Sequence, residues 1–223
     1  MNTMTDAETG DRDMTQVIDV ATDVHVTVYQ DELGRILHNA ALFASKDQTR
    51  PVFTMVKLRL RGSTLEAVGC TDYYAGADST TLADDVTATV RDGEWLVLAI
   101  DLAPIVKACR TRKGQTSPLV ILTFGADGLT VAMVTGSGES FTVAYAPSHM
   151  SFPPVDRLFP AVDAKPVALS EIRLDIANLS PFTKVRSDGD ADPLRFTFYG
   201  DSKAVLIHCG RTFRGLLMPV RVK

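Results

Sequence analysis

The basic residues are the side chains whose type and spacing most clearly suggest a chemical role. Lys107, Arg110, Arg112 and Lys113 lie close together, and no acidic residue occurs between positions 102 and 126. Lys107 and Arg110 are three positions apart, so a helix would place them on one face. A cationic helix face can lie against the phosphate backbone of a nucleic acid. A solvated surface helix is the other interpretation of this pattern.

Two further segments carry basic residues at comparable places. Lys184 and Arg186 form the second group, and Arg35, with Lys46 and Arg50 beyond it, forms the third. No aromatic residue accompanies these cations, so stacking on bases or reading of base edges is not indicated. The predicted phosphate-facing residues are Arg35, Lys46, Arg50, Lys107, Arg110, Arg112, Lys113, Lys184 and Arg186.

No set of residues in the sequence has the pattern of a known catalytic or metal centre. The histidines His25, His38, His149 and His208 do not form a HExxH pattern, and no GxSxG, P-loop or GxGxxG motif occurs. His208 and Cys209 are adjacent on a predicted strand, so their side chains would point to opposite faces. We therefore predict a protein that is not an enzyme and that holds no metal or cofactor. An enzyme of unrecognised type is the alternative.

The composition is that of a folded protein of one or two domains. The 223 residues include 23 Lys and Arg against 27 Asp and Glu, for a net charge of −4, and 45% are hydrophobic. Disordered chains combine low hydrophobicity with high net charge, so that class is excluded. Binding DNA through net basicity is also disfavoured, since such domains usually have a pI above about 9. A local basic patch remains compatible with these numbers.

Cysteine content and hydropathy indicate the cellular compartment. The three cysteines, Cys70, Cys109 and Cys209, are odd in number and contain no CxxC spacing. A disulfide framework or structural zinc site is therefore not expected. We expect buried thiols in a reducing cytosol instead. The sequence has no apolar run near the roughly 18–20 residues of a membrane helix, and its acidic N-terminus is unlike a signal peptide. We predict a soluble, cytoplasmic protein.

Hydrophobic periodicity defines the elements that would position the basic residues. Residues 1–15 are polar and acidic and predict a flexible tail. Alternating valines from Val24 predict a strand, and apolar residues at three-to-four spacing over 30–45 predict an amphipathic helix. A hairpin around Gly62 and further strands near 85–91 and 94–100 follow.

The chain also repeats itself. The segment DLAPIVK at 101–107 resembles NLSPFTK at 178–184, and each is followed by about three predicted strands. The stretch 24–90 has the same order, with a strand, a helix and then strands. These similarities predict three modules, at about 17–91, 93–150 and 167–223. A single module cannot bury both its helix and its sheet, whereas paired modules can.

A proline-rich segment separates the second and third modules. It reads FPPVDRLFP over residues 152–160. Three prolines exclude a regular helix or a central strand. Phe152, Leu158 and Phe159 are unusual in a free linker, so we expect the segment to pack on the surface between modules.

Several stretches of this sequence resemble the bacterial sliding clamp, the β subunit of DNA polymerase III. The C-terminal LLMPVRVK at 216–223 is similar to the family's (V/L)-(V/L)-M-P-(M/V)-R-L, extended by one Lys. The segment 152–160 is similar to the family's F-P-D-Y-R-R-V-L-P between its second and third domains. CTDYYA at 70–75 is similar to the family's A-T-D-(G/R)-(H/Y)-R, and RPVF at 50–53 precedes the matching strand. The resemblance extends over about 16–223.

The resemblance implies an α+β DNA-clamp fold with strand-helix-three-strand modules and helices on one face of antiparallel sheets. It implies a flexible tail over 1–15, a complete clamp-like domain of two modules over 16–150, a linker over 151–166 and a half domain over 167–223. A bacterial clamp has six modules per chain and twelve per ring. Three modules per chain therefore predict a tetramer, in preference to a trimer or dimer, and the short chain suggests a phage-type clamp in a bacterial cytoplasm.

The resemblance also implies partners. A ring would encircle duplex DNA without base contacts, and a hydrophobic pocket would bind short peptide motifs of a DNA polymerase and a clamp loader. The matching pocket positions are Phe53, Thr71, Tyr73, Tyr74, Ala75, Pro153, Arg157, Leu158, Leu217, Met218, Pro219, Val220 and Arg221. The apolar chain end LLMPV is consistent with a Met-containing groove, although it could also be the last core strand with a frayed end. A clamp-derived adaptor that keeps the pocket without closing on DNA is the alternative function.

Overall fold

The computed structural model describes residues 23–83, 92–111, 116–134, 138–147, 149–161, 163–189 and 192–220. The predicted tail over 1–15 and the predicted strand over 85–91 lie outside these ranges. The longest helix described has 13 residues, and no helix in these ranges is long and apolar enough to cross a membrane.

The first repeated unit follows the predicted order. Its elements are β1 (Val24–Tyr29), α1 (Gln30–Leu42), β2 (Met55–Arg61), β3 (Thr64–Cys70) and β4 (Tyr74–Thr81). Asp31 and Glu32 lie in the first turn of α1, where negative charge is favourable. The helix ends three residues earlier than its apolar spacing predicts, and a 3-10 helix at Pro51–Thr54 leads into β2.

The second and third units have shorter helices. The second contains β5 (Gly93–Leu98), a 3-10 turn (Ala99–Leu102), α2 (Ala103–Ala108), β6 (Leu119–Phe124), β7 (Gly128–Met133) and β8 (Ser140–Ala144). The third contains α3 (Ile176–Leu179), a 3-10 turn (Ser180–Lys184), β9 (Arg195–Thr197), β10 (Val205–Cys209) and β11 (Phe213–Leu217). The remaining 3-10 helix, Val155–Leu158, lies in the proline-rich segment.

The first two units interlock by exchanging strands. One antiparallel sheet has the order β1-β6-β7-β8, and the other has the order β5-β2-β3-β4-β11-β10-β9. The strand that precedes the helix of each unit therefore pairs in the sheet of the other unit, β1 with β6 and β5 with β2. The third unit joins the first through the β4–β11 pairing.

Helix α1 packs closely on the sheet of its own unit. A side chain at Gly69 of β3 would place its Cβ 2.1 Å from the carbonyl oxygen of Ala40. Only glycine allows this approach of helix to strand. The largest apolar core joins the first two units, and a smaller core around Phe43, Phe182 and Phe213 joins α1 to the third unit.

The described residues thus combine helices with antiparallel sheets, as predicted. The third unit differs from the first two because no ladder strand precedes its helix within the described ranges. Residues 171–175 precede α3 and belong to neither sheet, although the backbone of Asp175 is extended.

Candidate functional site

The seam between β4 and β11 ends in an open apolar cavity. The register pairs Leu217 with Tyr74, and the backbone N–H of Met218 donates to the carbonyl of Tyr73 at 2.8 Å. Beyond that bond the chain leaves the sheet and forms one wall of a cavity of about 630 Å³. Its lining residues are Asp72, Tyr73, Asp175, Asn178, Met218, Pro219 and Val220.

Two apolar side chains at this cavity are strongly exposed. Tyr73 is 59% exposed and Val220 is 48% exposed. The hydroxyl of Thr71 accepts hydrogen bonds from the backbone N–H groups of Tyr73 and Tyr74, at 3.2 and 3.3 Å, and so fixes the turn that presents Tyr73. Exposed apolar groups beside a preformed cavity are typical of a protein-binding site.

The proline-rich segment packs against the same sheet, which confirms that prediction. Val155 is buried against Cys70 and Ala75. Arg59 donates to the carboxylate of Asp156 at 2.7 Å, and further along the guanidinium of Arg214 lies 4.5 Å from the centre of the Phe159 ring. The segment is thus held by burial, an ion pair and a cation–π contact.

Several residues predicted for the pocket lie elsewhere. Leu217 is fully buried in the core around Phe43, and Tyr74 packs edge-to-face on Phe43 with ring centres 5.9 Å apart. Ala75 is buried beneath Val155. The prediction that Leu217 and Ala75 contact a peptide is wrong, because alternate strand residues are already covered on both faces of the sheet.

Five of the remaining predicted pocket residues do not line the cavity, namely Phe53, Thr71, Pro153, Arg157 and Leu158. Phe53 is half-buried against the cluster that holds Val155, and Leu158 is 62% exposed within the 3-10 helix of the proline-rich segment. Arg221 lies outside the described residues.

Helix α1 brings basic residues of the second and third units together. On one side, a Cβ at Gly34 would lie 2.7 Å from the Cβ of Cys109, so α2 is in close contact. On the other side, the His38 ring nitrogen Nε2 lies 3.2 Å from the carbonyl of Lys184. Arg110 and Arg186 line the same cavity, of about 650 Å³, between the two units.

The charges in this cavity influence one another. Burial lowers the pKa of Arg186, and the positive charge of Arg110 lowers it further. Burial also lowers the pKa of His38, and the charges of Arg186 and Arg110 add to that effect. The acidic residues Asp31, Glu32 and Asp188 line the cavity too, and Glu32 and Asp188 are each paired with an arginine. An anion near the two facing guanidinium groups would relieve their repulsion.

The two predicted lysines of this face occupy equivalent positions. Lys107 is exposed in the last turn of α2, and Lys184 is exposed in the last turn of the 3-10 helix after α3. Lys46 is exposed in the loop after α1. Arg112 and Lys113 lie outside the described residues. The helices therefore present Lys107, Arg110, Lys184 and Arg186 as candidate contacts for phosphates.

Two residues predicted to face DNA are paired with carboxylates of the same chain. Arg35 is buried, and its Nη1 donates to both carboxylate oxygens of Asp78 at 2.6 and 2.5 Å. Arg50 pairs with Asp72 and lies over the Phe53 ring, on the side of the sheet that carries the apolar cavity. For Arg35 the prediction is wrong, because the guanidinium is buried on a partner within the chain, whereas the role of the exposed Arg50 stays a prediction.

Arg35 instead belongs to a buried polar network that the sequence analysis did not identify. Asn39 donates to Asp78 at 2.6 Å and exchanges two 2.8 Å hydrogen bonds with the backbone of Arg186, while Arg35 donates to Thr212 at 2.8 Å. The network fixes α1 and β4 against the third unit. Asp78 lies within a strand of small residues, and this is the sequence feature that could have revealed the network. A carboxylate buried in such a strand needs a partner.

No group of His, Cys, Asp and Glu side chains within the described ranges is arranged to hold a metal ion.

Comparisons with known proteins identify the fold. No family model and no curated protein matches the sequence. The structure is similar to a sliding clamp of Pseudomonas aeruginosa crystallised with a ligand, with a TM-score of 0.69 and 13% identity over 89% of this chain and 66% of the clamp. It is also similar to a Bacillus subtilis sliding clamp, with a TM-score of 0.67 and 13% identity over 92% of this chain and 66% of the clamp.

A third similar structure is the DNA polymerase III beta subunit of Thermotoga maritima, with a TM-score of 0.63 and 10% identity, covering all of this chain and 68% of that one. The chain thus spans about two thirds of the length of these clamps. The resemblance inferred from residues 50–53, 70–75, 152–160 and 216–223 is confirmed at the level of structure. The chain has the fold of the bacterial DNA polymerase III β sliding clamp.

Proposed function

We propose that this protein is a DNA sliding clamp, a ring that encircles duplex DNA and tethers a replicative polymerase. The observation that supports the proposal is the cationic face that the clamp fold forms from separate units, with Arg110 and Arg186 on one cavity and Lys107 and Lys184 at equivalent helix ends. Such a face contacts phosphates without reading bases.

A net charge of −4 is compatible with this function. A closed ring is held on DNA by topology, so its contacts with phosphates can be weak and mobile. Only the surface that faces the duplex then needs positive charge. The chain would act without catalysis, and its contribution would be to keep an enzyme on the template.

We propose that the ring is a tetramer, because three units per chain then give the twelve of a clamp ring. The domain boundaries at 16–150, 151–166 and 167–223 belong to the same proposal. Light scattering after size exclusion should give a discrete species near four times 24.2 kDa. A species of three times that mass would contradict the count of units, and a monomer at all concentrations would favour the adaptor.

DNA retention tests the function itself. Diluting and reconcentrating the protein with a nicked circular plasmid should let rings reassemble around the DNA without a separate loading factor. We expect the protein to co-elute with the circular plasmid in gel filtration and to be lost once the plasmid is cut. Equal retention on circular and linear DNA would exclude topological linkage.

We further propose that the apolar cavity at the β4–β11 seam binds a short hydrophobic motif of the polymerase or loader. Burying two apolar anchors contributes roughly 1.5–3 kcal/mol each. The loss of motional freedom on association opposes this gain, so micromolar affinity per site is expected.

The variant Tyr73→Ala/Met218→Ala should weaken binding of a Gln-Leu-x-Leu-Phe-type peptide tenfold or more, because both side chains line the cavity. Fluorescence anisotropy of a labelled peptide measures this change. Leu158→Ala is the matched control, since Leu158 is exposed and apolar but lies away from the cavity. A loss of affinity confined to Leu158→Ala would move the site to the proline-rich segment.

The adaptor is the second candidate. The observation that favours it is that, within the described ranges, no ladder strand precedes the helix of the third unit. In an adaptor, replacing Lys107, Arg110 and Lys184 would change neither DNA retention nor peptide binding. In a clamp the same replacement should reduce the amount of protein retained on the circle after reassembly and spare the peptide site.

A further inference from the structure

The segment before α3 has the sequence pattern of a strand but is not paired in a sheet. Residues 171–175 read EIRLD, so Ile172 and Leu174 alternate with charged residues. Strict alternation is the pattern of a strand with one buried face. Within the described residues, the segment makes one backbone hydrogen bond to the chain that follows β11. The N–H of Val220 donates to the carbonyl of Arg173 at 2.8 Å.

That bond identifies the segment as the equivalent of β1 and β5. In the first unit the chain just after β4 makes the same bond, from Ala83 to Thr27 at 2.8 Å. In the second unit the chain just after β8 makes it from Ala146 to Leu96 at 2.7 Å. In all three units the end of the last strand therefore holds the strand that precedes the helix.

In the first two units the other edge of this strand pairs with the sheet of a neighbouring unit. Val26 of β1 lies opposite Leu122 of β6, and Trp95 of β5 lies opposite Leu58 of β2. The two registers agree. Val26 directly precedes Thr27, and Trp95 directly precedes Leu96, the two residues whose carbonyls accept the bonds described above. The two units complete each other by a reciprocal exchange of strands.

The third unit has a segment that could pair with another unit and a strand edge that could accept such a segment. Within the described residues, no other unit pairs with either of them. Its strand β9 corresponds to β6, because β9 pairs with β10 as β6 pairs with β7. No strand lies along the outer edge of β9 in the described part of the chain. One hydrogen bond, from Val167 to the carbonyl of Phe198 at 2.9 Å, reaches the chain just beyond the end of β9 and leaves Arg195–Thr197 without a ladder.

Core-facing residues of the third unit are more exposed than their equivalents in the second unit. Phe196 pairs with the buried Ile207, so its side chain lies on the core-facing side of the sheet. It is nevertheless 39% exposed, whereas Leu122, its counterpart beneath β1, is 1% exposed. Leu179 of α3 is only half-buried, whereas its counterpart Leu102 is fully buried.

We propose that two copies of this protein join through their third units, each laying residues 171–175 along β9 of the other. The register of the first two units then places Ile172 of one copy opposite Phe196 of the second copy. The interface is two-fold and self-complementary, because each third unit supplies both a free strand and a free edge.

The chemistry of the two surfaces supports a second copy as the occupant. The complement of a unit in this chain is another unit of the same design, and Ile172 and Leu174 would cover the exposed apolar face of β9. The register also sets Arg173 opposite Arg195 of the second copy. Glu171, bonded to Arg173 at 2.8 Å, lies on the same face and compensates the like charges.

This pairing has a consequence for the proposed ring, and only that consequence rests on the proposed function. The order of units along the sheets is second, first, third, and β8 forms the free edge at the other end among the described strands. Four copies that pair through their third units would then alternate in direction around the ring. The ring would have two-fold axes in place of a head-to-tail arrangement.

Disulfide trapping between copies tests the pairing. An Ile172→Cys variant mixed with a Phe196→Cys variant and oxidised should give a covalent species of twice 24.2 kDa on a non-reducing gel. Mixing two single variants ensures that the bond joins different copies. The native cysteines are buried and should not react. Arg173→Cys mixed with Phe196→Cys is the matched control, because Arg173 lies on the opposite face of the segment.

An independent measurement uses the native assembly. Phe196→Asp should at least halve the mass measured by light scattering, while peptide binding at the β4–β11 cavity stays unchanged and shows that the chain is folded. Absence of the Ile172–Phe196 cross-link together with an unchanged mass for Phe196→Asp would overturn the pairing. A ring that persisted in that case, with DNA retention intact, would leave the clamp proposal standing.

Discussion

Replacing Lys107, Arg110 and Lys184 together by glutamate should sharply reduce the amount of protein retained on a nicked circular plasmid after reassembly, because the reversed charges repel the phosphates while the ring closes. The three side chains are exposed on the helix face, and each carries a charge that can sit near a phosphate. Each phosphate contact contributes about 0.9 to the slope of log affinity against log salt, so three lost contacts flatten it by about 2.7 per copy. We expect at least a tenfold loss of affinity at low salt, measured by gel filtration and fluorescence.

The matched control carries the same change of charge elsewhere. Arg61, Lys165 and Lys203 are exposed in the β2–β3 hairpin, before α3 and in the β9–β10 turn. Their replacement by glutamate alters net charge equally and should leave most of the retention in place. Equal losses in both triple variants would show that net charge alone governs binding, and the helix face would then have no special role.

Much of the fold could be predicted because local periodicity decides it. The alternation from Val24 and the three-to-four spacing in α1 each describe one buried face, and both elements form where they are expected. The β4–β11 pairing joins residues that are far apart in the chain. No local pattern specifies which strand lies beside which, and only the resemblance, which assigns positions of 70–75 and 216–223 to one pocket, indicated that these segments lie close together.

The side chains of the site were harder to predict, for two physical reasons. The run Leu216–Val220 is apolar throughout and has no alternation, so sequence cannot tell which of its residues face the core. Leu217 is buried and Met218 lines the cavity. A basic residue on a helix has a similar ambiguity, because its role depends on the strand beneath it, and Asp78 decides the role of Arg35.

Arg35→Met should lower the free energy of unfolding by about 3–5 kcal/mol, since removing one partner of a buried ion pair leaves the other charge uncompensated. Asp78 is almost completely buried, and without Arg35 the side chains described would offer it only the neutral donors Asn39 and Thr212. Urea denaturation followed by fluorescence measures the loss. The network also holds the third unit through Thr212 and Arg186, so the variant should expose that unit first to proteolysis.

Two further measurements separate an ion-pair effect from a simple packing defect. Arg35→Met/Asp78→Leu should recover a large part of the loss, because an apolar pair of similar volume often replaces a buried ion pair at little cost. Burial raises the pKa of Asp78, with the charge of Arg35 opposing the shift. In Arg35→Met that opposition is absent, so the folded state should bind a proton more readily than the unfolded chain. The deficit should then shrink as the pH falls through the raised pKa, whereas a packing defect would give a deficit that does not change with pH.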